Sequence, residues 1–365
     1  MNGISIIIPI SGRTRFLTKL IDSFYSAENS NVNVELLIVD NSPKISDSIL
    51  IEKLAKSNKV SYLKSERGVV KARNYGARQA KYDYLVFVDS DCIFDKNTLL
   101  EYGRLVNESS VDCAAGRTMF EGESSLWFKL LKDSYFLLPF KWCEWDKNIL
   151  WSPMSNFLIK KEIFMKVNCF HSILPPNEAS EDVDLGIRIN SFGYSITGCP
   201  QCVVYHTTET WNSLTAIIKR FFRFGRGESK LIIKHNRFNW GFPGVSFLFL
   251  SLLLFSFLFS IFKQVEVAKI IMLSILINLL FSLIIHRILR VSNSLSFVQF
   301  IFLKFIEFLY DSGKLFQSLI DREFTAFKYF PFTQNAYINQ WHQNRINLIT
   351  YLFTIFTVLR ILCLK

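Results

Sequence analysis

Over the first two hundred residues, short unbroken apolar runs alternate with stretches whose apolar positions recur every three or four residues. Residues 3–10 read as a first strand buried on both faces, closed by Pro9 and the turn formers Ser11 and Gly12. A helix follows with Leu17, Leu20, Ile21 and Phe24 on one stripe and Thr14 as its cap. The run ending at Asp40 reads as a second core strand, broken at Pro43. A helix at 46–57, a short strand at 60–63, a helix opening at 67–76 and the buried strand 85–88 complete the rhythm. Strand, helix and strand in this order predict an α/β domain built on an open parallel, Rossmann-like sheet with right-handed crossovers. Further on, the pattern predicts a helix at 96–108, an aromatic segment at 127–151, a strand running into a helix over 154–167, a break at Pro175 and Pro176, a helix opening at Glu181, and a strand ending at His206.

Past residue 230 the pattern changes. Residues 242–262 carry no charge and 267–286 are nearly as apolar, which predicts a transmembrane hairpin. Cations at 220–234 before it, and Arg287 and Arg290 after it, place both flanks in the cytosol. The stretch 294–320 is apolar but punctuated by Lys304, Glu307, Asp311 and Lys314, as suits a helix lying in the membrane interface. Residues 347–364 read either as a third span or as an interfacial tail. The expected organisation is a catalytic domain at 1–230, the hairpin at 231–290, and an interfacial all-α region at 291–365. Composition agrees with a membrane surface: half the residues are hydrophobic, 36 of 365 are Phe, and the formal charge is still +11. The first residues lack a basic leader, so the catalytic domain is expected in the cytosol, at the inner face of the cell membrane. The seven cysteines are scattered and expected to be reduced; only Cys199 and Cys202 share a metal-like spacing, and no second pair accompanies them.

The candidate chemistry sits where apolar runs end. Asp89, Ser90 and Asp91 close the 85–88 strand, and two acids one residue apart on a turn suit either a divalent cation or a solvated Asx turn. Arg67, Lys71 and Arg73 stand near a helix start, where free N–H groups favour anions; a diphosphate fits, and so does a solvated basic face. Glu181, Asp182 and Asp184 open a helix, as charge complements to its dipole or as a source of a general base. His206 reads as a metal ligand or a structural hydrogen bonder. The 219–227 stretch interleaves cations, among them Arg223 and Arg226, with aromatics; it suits phosphate oxygens or lipid headgroups, and nucleic acid is not expected because no reading module accompanies it. Trp142, Trp145 and Trp151 could stack on a sugar, dip into an interface, or serve as core.

Together the strand ending in Pro9, LLIVDNS, GVVKARNYGA, FVDSD, SNFLIKKEIF and EDVDLGIRI resemble the family-2 glycosyltransferases, inverting enzymes of the GT-A fold, over roughly the first 230 residues. The resemblance implies a nucleotide-sugar donor, a UDP-sugar, with Pro9, Asp40, Arg73, Asp89 and Ser90 around it. It implies Mn or Mg on Asp91, with Asp89 and His206 as further ligands, and Asp182 as general base. Glu181, Asp184, Arg223, Arg226, Trp151 and Asn156 are implied as further site residues. The implied reaction is transfer of one sugar to a hydroxyl of a lipid-linked or surface-polysaccharide acceptor. Transfer onto polyprenyl phosphate, and a non-catalytic membrane-anchored scaffold that binds nucleotide sugars, are the alternatives. The sequence departs from the family pattern at Asn41, where a second acid is common, and at 168–177, where glycines are common. The Gln-x-x-Arg-Trp motif of processive members is absent, so single addition is expected.

Overall fold

A computed structural model describes residues 3–363 except 13, 28–30, 55–58, 109–110, 177, 243, 263–264, 289–295 and 333–335. Arg290, counted above among the cationic flanks, lies outside the described residues. The chain forms two compact units, Met1–Ser213 and Leu214–Lys365, each described by itself.

The first unit runs β1 (Gly3–Ile10), α1 (Leu17–Ser26), β2 (Asn33–Asp40), α2 (Ile45–Leu54), β3 (Val60–Lys64), α3 (Val69–Gln79), β4 (Tyr84–Phe87), β5 (Cys92–Phe94) and α4 (Thr98–Asn107). It continues with β6 (Cys113–Glu121), α5 (Leu126–Leu131), β7 (Asn148–Ile149), β8 (Phe157–Lys160), α6 (Lys161–Lys166), α7 (Glu181–Ser191) and β9 (Ile196–Thr207). The sheet order is β3-β2-β1-β4-β8-β6-β9-β5, with β7 paired to β9. Strands β1 to β4 are parallel, as the βαβ rhythm predicts. The expectation of a parallel sheet fails beyond β4: β8 is antiparallel to both β4 and β6, and β5 is antiparallel to β9. The physical reason is connectivity: a parallel neighbour needs a crossover back to the same end of the sheet. After β4 the chain instead runs at 89–91 into β5, which lies at the far edge beside β9 and not beside β4. Strands β6 and β9 are parallel to each other.

Successive side chains of a strand point to opposite faces, and both faces of this sheet are covered. Ile4, Ile6 and Ile8 of β1 pack with Leu17, Leu20 and Phe24 of α1 and with Leu99 and Tyr102 of α4. Ile7, Leu37 and Val39 pack on the other face with Val70 and Ala72 of α3 and with Leu185 and Ile189 of α7. Double coverage is why these strands read as unbroken apolar runs. Thr14 opens a short 3₁₀ turn instead of capping α1, which has no side-chain cap.

The second unit holds α8 (Leu214–His235), β10 (Asn239–Trp240), α9 (Val245–Ile261), α10 (Val265–Ile288), α11 (Phe297–Asp321), β11 (Lys328–Tyr329) and α12 (Ala336–Cys363). Helices α8 and α11 pack through a buried pair, with Lys314 Nζ 3.3 Å from Glu228 Oε1, and α11 buries Phe300, Phe302, Leu303 and Ile306. The transmembrane expectation is corrected here: among the described residues no helix is long and apolar enough to cross a membrane. Over 242–262 only 17 residues are helical, about 25 Å of rise against a hydrocarbon core of about 30 Å. In α10 the uncharged run is bounded by Lys269 and His286, and in α12 by Arg345 and Arg360, so each falls short of the roughly 20 residues a span needs.

Candidate active site

The acids converge on Arg73. Helix α3 carries it, and Gly76 lets that helix lie on the sheet: a Cβ there would stand 2.7 Å from Ile7 and 2.9 Å from Val39. Arg73 is buried; its Nη2 donates to Asp89 Oδ1 at 2.9 Å and its Nη1 to Glu181 Oε1 at 3.0 Å, with the Phe170 ring 5.4 Å from the guanidinium carbon. Its Nε is buried with no hydrogen-bond partner among the described residues. Burial opposes its charge, but Asp89, Glu181 and Asp182 outweigh burial and hold it protonated. One guanidinium thus ties the turn after β4 to the start of α7, segments far apart in the chain.

Asp182 sits beside this clamp, half-buried, its Oδ1 accepting from Val183 N at 2.8 Å. Burial, and then the Glu181 carboxylate, push its carboxyl up to about 7, against the pull of the Val183 N–H and Arg73. A carboxyl poised there can take a proton near neutral pH. Gly186 seats α7: a Cβ at that position would stand 2.4 Å from Trp151 Cβ and 2.5 Å from the Leu150 carbonyl.

A second cluster adjoins through the same turn. Asp91 and His206 are both buried, with Asp91 Oδ1 3.4 Å from His206 Nε2. His206 Nδ1 lies 2.8 Å from the Thr207 carbonyl. A carbonyl only accepts, so Nδ1 holds the ring proton, and in the neutral ring Nε2 presents a lone pair to a carboxylate oxygen. With Nδ1 committed to that carbonyl, His206 Nε2 and the Asp91 carboxylate are a nitrogen and an oxygen ligand atom 3.4 Å apart, so the pair fits a divalent metal. Cys92 completes a trio whose ligand atoms lie within 4.8 Å of one another. Burial, and then Asp91 and Asp89, push that thiol well above its ordinary range, which leaves it protonated and a poor partner for a hard cation.

Asp40 ends β2, fully buried. Oδ1 accepts from Ser42 N at 2.8 Å; Oδ2 accepts from Tyr62 Oη at 3.0 Å and Lys64 Nζ at 2.8 Å. Burial alone would raise its pKa, but hydrogen bonds from Lys64, Ser42 and Ser48 outweigh burial and hold it at about 2. Because the folded value lies below the unfolded one, this stabilisation is complete above about pH 4 and is lost as pH falls toward 2. The whole effect is about 2 kcal/mol. Lys64 is half exposed, so Lys64→Met is expected to cost about 1 kcal/mol at pH 7 and almost nothing at pH 2, as read from urea denaturation at the two pH values.

The other residues expected at the site lie in the following surroundings. Asn156 is buried with its amide committed: Nδ2 donates to the carbonyls of Arg117 (2.9 Å) and Cys202 (2.8 Å), and Oδ1 accepts from Tyr102. Asp184, wholly buried, is paired with Arg188 at 2.8 Å. Trp151 packs edge-on against Trp142, ring centroids 5.2 Å apart. Pro9 is buried in β1 opposite Val39, and Ser90 is buried in the turn. Arg223 and Arg226 belong to α8 in the second unit, where Arg226 Nε donates to Gln317 at 2.9 Å. Sequence reasoning missed Tyr62 and Lys64. The register places Lys64 opposite Asp40, so the parallel alignment of β2 and β3 was the available signal.

Acids gathered by one buried arginine beyond the strand ends of a mixed α/β sheet define a GT-A-like domain. Residues 5–171 match glycosyl transferase family 2, so the chain carries a glycosyltransferase family 2 domain, an enzyme domain. Among curated relatives, glycosyltransferase GlyA of Streptococcus pneumoniae is 27% identical over 136 residues, 36% of this chain and 19% of GlyA. The dolichyl N-acetyl-α-D-glucosaminyl phosphate 3-β-D-2,3-diacetamido-2,3-dideoxy-β-D-glucuronosyltransferase of Methanococcus voltae is 23% identical over 292 residues, 72% of this chain and 84% of that protein. Poly(ribitol-phosphate) β-N-acetylglucosaminyltransferase TarS of Staphylococcus aureus is 30% identical over 115 residues, 31% of this chain and 20% of TarS. The crystal structure of TarS 1–349 with UDP-GlcNAc superposes with a TM-score of 0.42 at 18% identity, covering 63% of this chain and 66% of that one. This chain thus spans about a fifth of GlyA and of TarS.

Proposed function

We propose that this protein transfers one sugar from a nucleotide sugar, a UDP-sugar, to a hydroxyl of a lipid-linked or polysaccharide acceptor, with inversion at the anomeric carbon. The observation that carries the reading is the clamp of Arg73 on Asp89 and Glu181, with Asp182 beside it. Asp182 takes the proton of the acceptor hydroxyl at a carboxylate oxygen. The acceptor oxygen then attacks the face of the sugar opposite the diphosphate, and the C1–O bond to the diphosphate breaks. Arg73, whose buried Nε has an unused donor, offsets the charge gathering on the leaving group. Asp91 and His206 would hold Mn or Mg, which when bound supplies positive charge to that diphosphate. Asp40 at the end of β2 is the base-side contact, and Asp89 and Ser90 lie on the donor side.

Relatives named for a dolichyl-phosphate-linked sugar and for poly(ribitol phosphate) favour a large anionic or lipid-linked acceptor. Such an acceptor suits an enzyme working at the cytoplasmic face of the cell membrane. Leu254, Phe257, Leu352 and Phe356, exposed on α9 and α12, are side chains that an interface would cover. The test is release of UDP from a panel of UDP-sugars by the full chain with Mn. Expected is release by the native protein, abolished by chelator and absent from Asp91→Asn. Release that persists at full rate in both controls removes the metal from the scheme; no release from any donor removes the scheme.

A further inference from the structure

Strand β9 is irregular at the one cysteine pair with close spacing. Gly116 of β6 stands opposite Cys199, and the next residue, Arg117, stands opposite Val203. Pro200, Gln201 and Cys202 therefore bulge out of the ladder, and the chain comes back almost to where it left. Gly116 and Arg117 are consecutive, so the bulge returns the backbone to the neighbouring ladder position and sets Cys199 and Cys202 at the two ends of one tight turn, an arrangement a disulfide can close. Both thiols are free and buried, Cys202 completely and Cys199 with 6% exposure. Cys199 Sγ donates to Gln201 Oε1 at 4.0 Å within the bulge, and the Cys202 side chain stands close enough to act on the Cys199 thiol.

We propose that Cys199 and Cys202 form a redox-modifiable pair, which hydrogen peroxide converts to an intrachain disulfide within the β9 bulge. Cys199 is the attacking sulfur: it is the less completely buried of the two, and the neighbouring Cys202 thiol lowers its pKa, whereas burial pushes Cys202 well up. The Cys199 thiolate attacks one peroxide oxygen, the O–O bond breaks, and the departing hydroxide takes up a proton as water, leaving a sulfenic acid. Cys202, losing its proton, attacks that sulfur; the S–O bond breaks and the oxygen leaves as a second water. Two thiols and one peroxide become one disulfide and two waters.

The bulge is stapled to its surroundings. Asn156 holds the Cys202 carbonyl, and the Val203 carbonyl accepts from Asp95 N at 3.1 Å and from Thr98. The strand then runs directly to His206. A soft-metal site is disfavoured, because among the described residues the sulfur atoms of Cys143, Cys199 and Cys202 do not form a cluster of ligand size.

The experiment treats the folded full chain with peroxide, blocks remaining thiols with an alkylating agent after unfolding, and maps the peptides by mass. Expected is a peptide spanning 199–202 that is unalkylated, lighter by two hydrogens, and alkylated in full after treatment with dithiothreitol. Cys143→Ser is expected to give the same product. Cys202→Ser is expected to leave a sulfenic acid on Cys199 that dimedone traps. Alkylation of both cysteines after peroxide, oxidation that dithiothreitol does not reverse, or a bridge to a different cysteine each overturns the proposal.

Discussion

Asp182→Asn is expected to lower kcat by about 10²- to 10⁴-fold, the range of a lost general base, while donor KM changes only a few-fold. The amide keeps the size of the carboxylate but cannot accept the acceptor's proton. In the native enzyme the group must be ionised to act, and burial with Glu181 alongside has raised its pKa to about 7. The rate is therefore expected to fall about tenfold per pH unit below that value and to level off above it. Stability runs the other way. A carboxyl whose folded pKa is raised costs the folded state free energy once pH exceeds its unfolded value, so the Asn variant is expected to be at least as stable as the native protein at pH 8. Single-turnover kinetics across pH, with urea denaturation of both proteins at pH 8, check the two halves. Native-like kcat in the variant would remove Asp182 from the chemistry.

Arg73→Met is expected to destabilise the first unit by about 3 kcal/mol, because it leaves Glu181, and to a smaller degree the more exposed Asp89, without a counter-charge. It also has a signature that a merely structural role would not produce. Arg73 draws the Asp182 pKa down, so its removal is expected to move the acid limb of the pH–rate profile to higher pH. Glu181→Gln removes a charge that pushes the Asp182 pKa up, and is expected to move that limb to lower pH. Arg73→Lys is expected to recover only part of the stability, since one ammonium lacks the planar fork that reaches Asp89 and Glu181 together. Thermal melts and pH–rate profiles of the three variants check the set. An unmoved limb in both Arg73→Met and Glu181→Gln would sever the clamp from the base.

Much of the first unit was legible because burial on both faces writes strands as continuous apolar runs, as in residues 3–10 and 34–40, and because acids at strand ends interrupt those runs abruptly. Residue type by itself does not tell how far a polar group is already engaged. Asn156 and Asp184 carry polar groups of the right kind near the right motifs, but each is wholly engaged, Asn156 by backbone carbonyls and Tyr102, Asp184 by Arg188. Apolarity in the second unit was likewise read as bilayer spans, although only part of the longest uncharged run is helical and the other runs are cut by charges.

From the amino-acid order alone came the α/β rhythm, the acidic turns and their likeness to a glycosyltransferase family, since hydrophobic period and turn chemistry are local properties of the chain. Only the tertiary structure decided which charges meet. It put Arg73 between Asp89 and Glu181, set His206 Nε2 against Asp91, and buried Asp40 under Lys64 and Tyr62. Partners so far apart in the chain leave no periodic trace along it, and the protonation of each group follows from the company that folding supplies.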